Sequence, residues 1–301
     1  MRKSVRREIL RRQSCKLEFE RPDNDRGRGS VRSALQTTRG DSVKRSLFGK
    51  LVALLLTLLA CPVLAAPSDV GVILMHGKWV MPNSMTMLAR DLESRGFVVS
   101  NMEMPWSGRR LYDVDYQSAL KEIEQQASKL RAGGAKRVIV AGQSMGANAA
   151  VAYASSGFEL DGLVILSPGH FPEGGMGNRL RSSLDRAKSM VAANRGADSE
   201  SFDDINQGKL RSIRMTAGTY VSYFDPEGLG AITRNIRKLS KAVPVFLAVG
   251  TSDPFYPNSK AMFESAPSHS VSRYVAFDSD HFSLPKLVSG ELVKWLDAYP
   301  Q

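Results

Sequence analysis

The residues best suited to chemistry are Gly142-Gln143-Ser144-Met145-Gly146, set directly behind the apolar run Arg137–Ala141. A buried strand, a five-residue turn bounded by glycines and then a helix is the context in which G-x-S-x-G presents a nucleophilic serine. The turn strains the serine backbone, and the flanking positions must be small because strand and helix nearly touch there. Asn148 to Ala154 supplies small side chains that let the next helix pack closely under a sheet. A serine hydroxyl is a weak nucleophile, so it needs a base, and the base needs an orienting acid.

The chain has four histidines. His76 ends the first apolar run, His170 follows the run at Leu163–Ser167, and His269 precedes the last one. His281, in Asp278-Ser279-Asp280-His281-Phe282, follows the last run and is the best-placed base. The acid should follow the strand before it. Asp253, in Gly250-Thr251-Ser252-Asp253-Pro254, meets that requirement, whereas Asp278 and Asp280 are too near His281 in sequence to orient it easily.

These residues need a scaffold. Apolar runs at 70–75, 97–104, 137–141, 163–167, 243–249 and 274–277 alternate with helical patterns at 82–95, 113–132 and 284–299. Such alternation predicts an α/β fold: a doubly wound, mostly parallel sheet of about six strands covered on both faces. Ligands of such sheets bind beyond the carboxyl ends of the strands, where Ser144, Asp253 and His281 all fall. Between Ser167 and Val243 lie 75 residues, more than one crossover needs. Asn178–Asn194 reads as an amphipathic helix, 196–208 as a polar mobile loop, 215–223 as a helix or strand, and 232–241 as the crossover helix. The segment at about 171–230 is expected to form a helical lid.

In its chain order Ser144, Asp253, His281, the sequence resembles the α/β-hydrolases over about residues 69–300. The family's usual first strand pair is missing, which leaves a six-stranded minimal version. His76-Gly77-Lys78-Trp79 resembles the family's His-Gly oxyanion loop. The resemblance implies an acyl-enzyme on Ser144, with backbone N–H groups of Met145 and of Lys78, or else Trp79, stabilising the oxyanion. It implies a structural role for His76; the sequence itself shows no metal-ligating cluster, and no cofactor is expected. Trp79, Trp106, His170 and Tyr223 are candidate pocket residues. Arg109, Tyr112, Asp113, Tyr220 and Phe224 are further candidates beside them.

The formal charge of +11 is unevenly placed: residues 1–50 hold 15 of the 41 Lys+Arg and 6 of the 30 Asp+Glu. The remainder is nearly neutral, so no broad nucleic-acid surface is implied. Residues 1–42 read as a disordered basic extension, with translation expected to start near Val43. Lys44-Arg45, the apolar stretch Leu51–Ala60 and Val63-Leu64-Ala65 make a secretory signal over 43–65. This leaves a mature domain of 66–301 in the periplasm or outside the cell, without a transmembrane span. Both cysteines, Cys15 and Cys61, lie in this leader, and Leu58–Cys61 also resembles a lipobox that would lipidate Cys61. Three functions fit these features: an exported serine hydrolase acting on a small or lipid-like acyl substrate, an acyltransferase with the same triad, and a catalytically silent binding module.

Overall fold

Val70–Met75 (β1) is buried at every position, as a central strand covered on both faces must be. Five further strands complete a six-stranded parallel sheet: Val98–Met102 (β2), Arg137–Ser144 (β3), Gly162–Pro168 (β4), Val245–Gly250 (β7) and Arg273–Phe277 (β8). Their order is β2-β1-β3-β4-β7-β8, and every pairing is parallel. The computed structural model describes residues 69–298. The basic extension, the signal segment and both cysteines lie outside those residues.

The chain steps from β1 outward to β2 and returns to β3 on β1's other side. The sheet therefore reverses its winding between β1 and β3, and a crevice opens at their carboxyl ends. The register puts Met75 beside Met102 and Gly142, so His76-Gly77-Lys78 emerges next to the Ser144 turn.

Helices pack on both faces. On one lie Thr86–Ser94 (α1), the short Leu284–Leu287 (α8) and Ser289–Asp297 (α9), burying Leu88, Leu92, Leu292 and Trp295. On the other lie Tyr116–Ala132 (α2) and Met145–Ser155 (α3). Every residue of α3 from Met145 to Tyr153 is buried, and its small side chains allow the close approach to the sheet. A helix absent from the sequence reading, Tyr256–Glu264 (α7), fills the crossover between β7 and β8. Its apolar positions are few, so the periodic signal there is weak.

The segment after β4 differs from the expected helical lid. Gly175–Ala192 (α4) and Ala217–Phe224 (α5) are helical, but 196–208 is not a loop. Ser199–Asn206 (β5) and Lys209–Thr216 (β6) form an antiparallel hairpin. Gln207 and Gly208 form its two-residue turn, both with positive φ, as a tight hairpin requires. The hairpin looked like a loop because it buries Asp204 along with Phe202 and Ile205, and a carboxylate breaks the apolar alternation. The crossover helix is short, Ile232–Ile236 (α6).

Candidate active site

The turn after β3 is compressed to its steric limit. A Cβ at Gly142 would lie 2.1 Å from the backbone of Gly146, and one at Gly146 would lie 2.4 Å from Met75 O. Only glycine fits either place. Between them Ser144 has φ 57° and ψ −118°, a conformation held against its own sterics by the surrounding backbone. It aims Oγ into the crevice at the N-terminus of α3.

β7 and β8 deliver the other two groups. His281 Nδ1 and Asp253 Oδ2 are 2.7 Å apart, and both residues are buried. Burial pushes the Asp253 carboxyl up, but the hydrogen bonds from His281 and from Phe255 N–H outweigh it and hold the carboxyl below its ordinary value. A carboxylate there fixes the ring with Nδ1–H toward Asp253, leaving Nε2 as an acceptor. Nε2 turns toward the serine. A Cβ on Gly169 would meet Ser144 Oγ at 2.5 Å and His281 Nε2 at 3.3 Å. No hydrogen bond closes between these two atoms among the described residues, and such contacts tighten when substrate binds. The structure thus brings Ser144, Asp253 and His281 together, while His269 stays at the opposite end of β8 and Asp280 binds the N–H groups of Phe282 and Ser283.

Two backbone donors flank the serine. Met145 opens α3, so its N–H has no partner within the helix. Of the alternatives in the first loop, Trp79 N–H donates to Trp106 O at 2.8 Å and is spent, which leaves Lys78 N–H. The loop backbone lies against the nucleophile: a Cβ on Gly77 would be 3.0 Å from Ser144 Cβ.

Two residues that the sequence reading passed over hold this arrangement. Gln143, a position the motif leaves open, donates through Nε2 to His281 O at 3.1 Å and so ties the serine turn to the histidine loop. Asp204, fully buried on β5, accepts from Lys78 Nζ at 2.6 Å, Trp79 Nε1 at 2.8 Å and Tyr112 OH at 2.6 Å. Asn206 adds a bond from Nδ2 to Lys78 O at 3.0 Å. Burial draws the Lys78 ammonium below its usual range, against the pull of Asp204. The hairpin therefore grips the oxyanion loop by both its side chains and its backbone. No sequence spacing links Asp204 to Lys78, which lies 126 residues away.

The four proposed pocket residues have other duties. Trp106 is fully buried and donates to His76 O at 2.8 Å. Trp79 is engaged by Asp204. His170 donates from Nε2 to Tyr223 O at 2.8 Å, and burial, aided by the Lys78 charge, depresses its pKa strongly. The Tyr223 ring packs on Tyr112 and Tyr116. All four lie off the walls of the cavities around the triad, because the aromatic residues of α5 and of the loop after β2 pack on one another. His76 is structural, as expected: Nδ1–H donates to Gly77 O at 2.7 Å and Nε2 accepts from Met104 N–H at 3.1 Å.

The walls are made elsewhere. A cleft of about 870 Å³ borders His281 and Gly169 and is lined by Phe171, Phe255 and Met262 of the apolar residues. A cavity of about 40 Å³ borders Ser144, Gly77 and Lys78. Among the described residues no cluster of His, Cys, Asp and Glu could hold a metal ion, and no helix is long and apolar enough to cross a membrane.

A parallel sheet with a strained serine after one strand, an acid after a second and a histidine after a third defines the α/β-hydrolase class. Residues 66–281 match the family described as serine aminopeptidase, S33, and the chain belongs to that α/β-hydrolase family. Solved structures share the fold. One from work on the metagenome-derived lipolytic enzymes LipS and LipT superposes with TM-score 0.55 at 16% identity, covering 78% of this chain and 96% of that one. The monoacylglycerol lipase of Paleococcus ferrophilus gives TM-score 0.55 at 21% identity, with coverage of 77% and 95%. An esterase domain from a Rhodothermus marinus protein gives 0.51 at 14%, with coverage of 78% and 90%. A search of curated proteins found no match.

Proposed function

We propose that this protein is a serine hydrolase that cleaves an ester bond through an acyl-enzyme on Ser144. The observation that carries this reading is the meeting of a strained Ser144 with the His281–Asp253 pair at the sheet's carboxyl edge. In the reaction, His281 Nε2 takes the proton of Ser144 Oγ as Oγ attacks the acyl carbonyl. The negative charge gathers on the carbonyl oxygen and is met by the N–H groups of Lys78 and Met145. His281 returns the proton to the departing alkoxide, and the alcohol leaves. Water, deprotonated by His281, then releases the acid and restores Ser144. Asp253 holds the imidazole tautomer and balances the imidazolium. That structural neighbours are lipolytic enzymes, a monoacylglycerol lipase and an esterase domain favours an ester over an amide.

The decisive experiment is labelling with a fluorophosphonate probe. Wild-type protein should label, and Ser144→Ala should not; equal labelling of both removes Ser144 from the chemistry. Product analysis with a competing alcohol separates hydrolysis from acyl transfer. We place the activity outside the cytoplasm, on the basic-apolar-small pattern of 43–65.

A further inference from the structure

Two spaces of very different size meet at the triad, and the β5–β6 hairpin stands between them. Asn206, the last residue of β5, lines the 40 Å³ cavity beside Ser144. Its neighbours in the turn, Gln207 and Gly208, line the 870 Å³ cleft beside His281. The wall cannot swing freely, because Asp204 and Asn206 fasten the same strand to the His76–Trp79 loop through the Lys78 and Trp79 side chains and the Lys78 carbonyl, and Asp204 also holds Tyr112 in the loop after β2.

Each space has a chemical partner. In the tetrahedral intermediate the acyl carbon is bonded to Ser144 Oγ, its oxygen points at Lys78 and Met145, and the leaving oxygen must lie within reach of His281 Nε2. The small cavity is bounded by Ser144, Gln143, Gly77 and Lys78, the groups that surround the acyl carbon. His281 borders both spaces, but the large cleft touches none of these four and otherwise reaches the triad through Gly169 and Asp253. We propose, on the basis of the hydrolase reading above, that the hairpin assigns the small cavity to the acyl group and the large cleft to the leaving group. The substrates are then acetyl or propionyl esters of bulky, partly apolar alcohols. With about 40 Å³ against about 870 Å³, the small cavity has room only for a short group, so a longer acyl chain must displace Val80, Met85, Pro285 or Phe282. The cleft, by contrast, offers the stacked rings of Phe171 and Phe255, 4.6 Å between centroids, with Asn258, Thr233 and Arg237 also on its walls.

The test is a two-way panel read as kcat/KM: p-nitrophenyl acetate, propionate, butyrate and octanoate, then methyl, phenyl and 2-naphthyl acetates. A closed hydrophobic pocket discriminates one methylene by about 10–200-fold. Butyrate should therefore fall at least about 100-fold below acetate, while the acetates should hold or rise as the alcohol grows. Phe282 is 58% exposed, so Phe282→Ala should fold. It, and separately Val80→Ala, should raise the butyrate-to-acetate ratio about tenfold. Ala261→Trp, which fills the cleft from α7, should lower naphthyl acetate relative to methyl acetate. Octanoate as good as acetate, or rejection of naphthyl acetate, overturns the partition while Ser144 still labels with a small phosphonate. If Ser144 does not label and every ester is inert, the hydrolase reading falls, and the partition with it.

Discussion

Ser144 has backbone angles that only a braced turn sustains, and the bracing residues are glycines whose missing Cβ atoms can be tested one at a time. Gly142→Ala drives a methyl into the Gly146 backbone and should destabilise the protein by at least about 3 kcal/mol, read by urea unfolding. Gly169→Ala is different in kind. Its methyl would meet the Ser144 hydroxyl and the His281 ring before anything else. It should cost at least about 100-fold in kcat/KM with a thermal midpoint close to wild type. Asp253 adds a pH signature. Its carboxyl lies below its ordinary value in the folded state, so its stabilisation is full above the unfolded value near ~3.9 and lost as pH falls through the folded one. The stability advantage of wild type over Asp253→Asn should be present at pH 7 and shrink below about pH 4, measured as urea midpoints.

Among the elements, the hairpin decides most. It inserts a charged side chain into a buried site, which costs solvation unless every lone pair finds a donor. Asp204 finds Lys78, Trp79, Tyr112 and its own following N–H of Ile205. Removing it strands the Lys78 ammonium. Asp204→Ala should lose about 3–5 kcal/mol and lower the thermal midpoint by roughly 10 °C. The milder Asp204→Asn should reduce kcat far more than it changes KM, because the Lys78 N–H matters most when the oxyanion forms. Sequence pattern could not reveal this hairpin. An alternation test scores Asp204 as outward-facing, and its partners Lys78, Trp79 and Tyr112 lie on other elements. Helix α7 escaped for a related reason, since its exposed face leaves few apolar positions to count.

At the scale of the whole molecule, charge and chemistry are segregated along the chain. The triad lies in the nearly neutral part beyond residue 50, and most of the net charge precedes it. An exported protein of this design should be recovered with its N-terminus at Ala66, which N-terminal sequencing would read directly. A lipidated Cys61 at the terminus would redirect the site of action to the envelope surface.

The meeting of Ser144, Asp253 and His281 was legible in the linear chain because each follows an apolar run, and parallel strands bring all such ends to one edge. Glycine spacing was legible for a similar reason, since a local backbone collision depends only on neighbours in sequence. What closes over that edge was not. That the Trp79 N–H is taken, while Lys78 remains the candidate donor of the proposed mechanism, rests on a bond to Trp106. The pocket walls came from α6, α7 and the hairpin tip rather than from Trp106, His170 and Tyr223. These are contacts between residues tens to more than a hundred positions apart, and only packing in three dimensions selects among them.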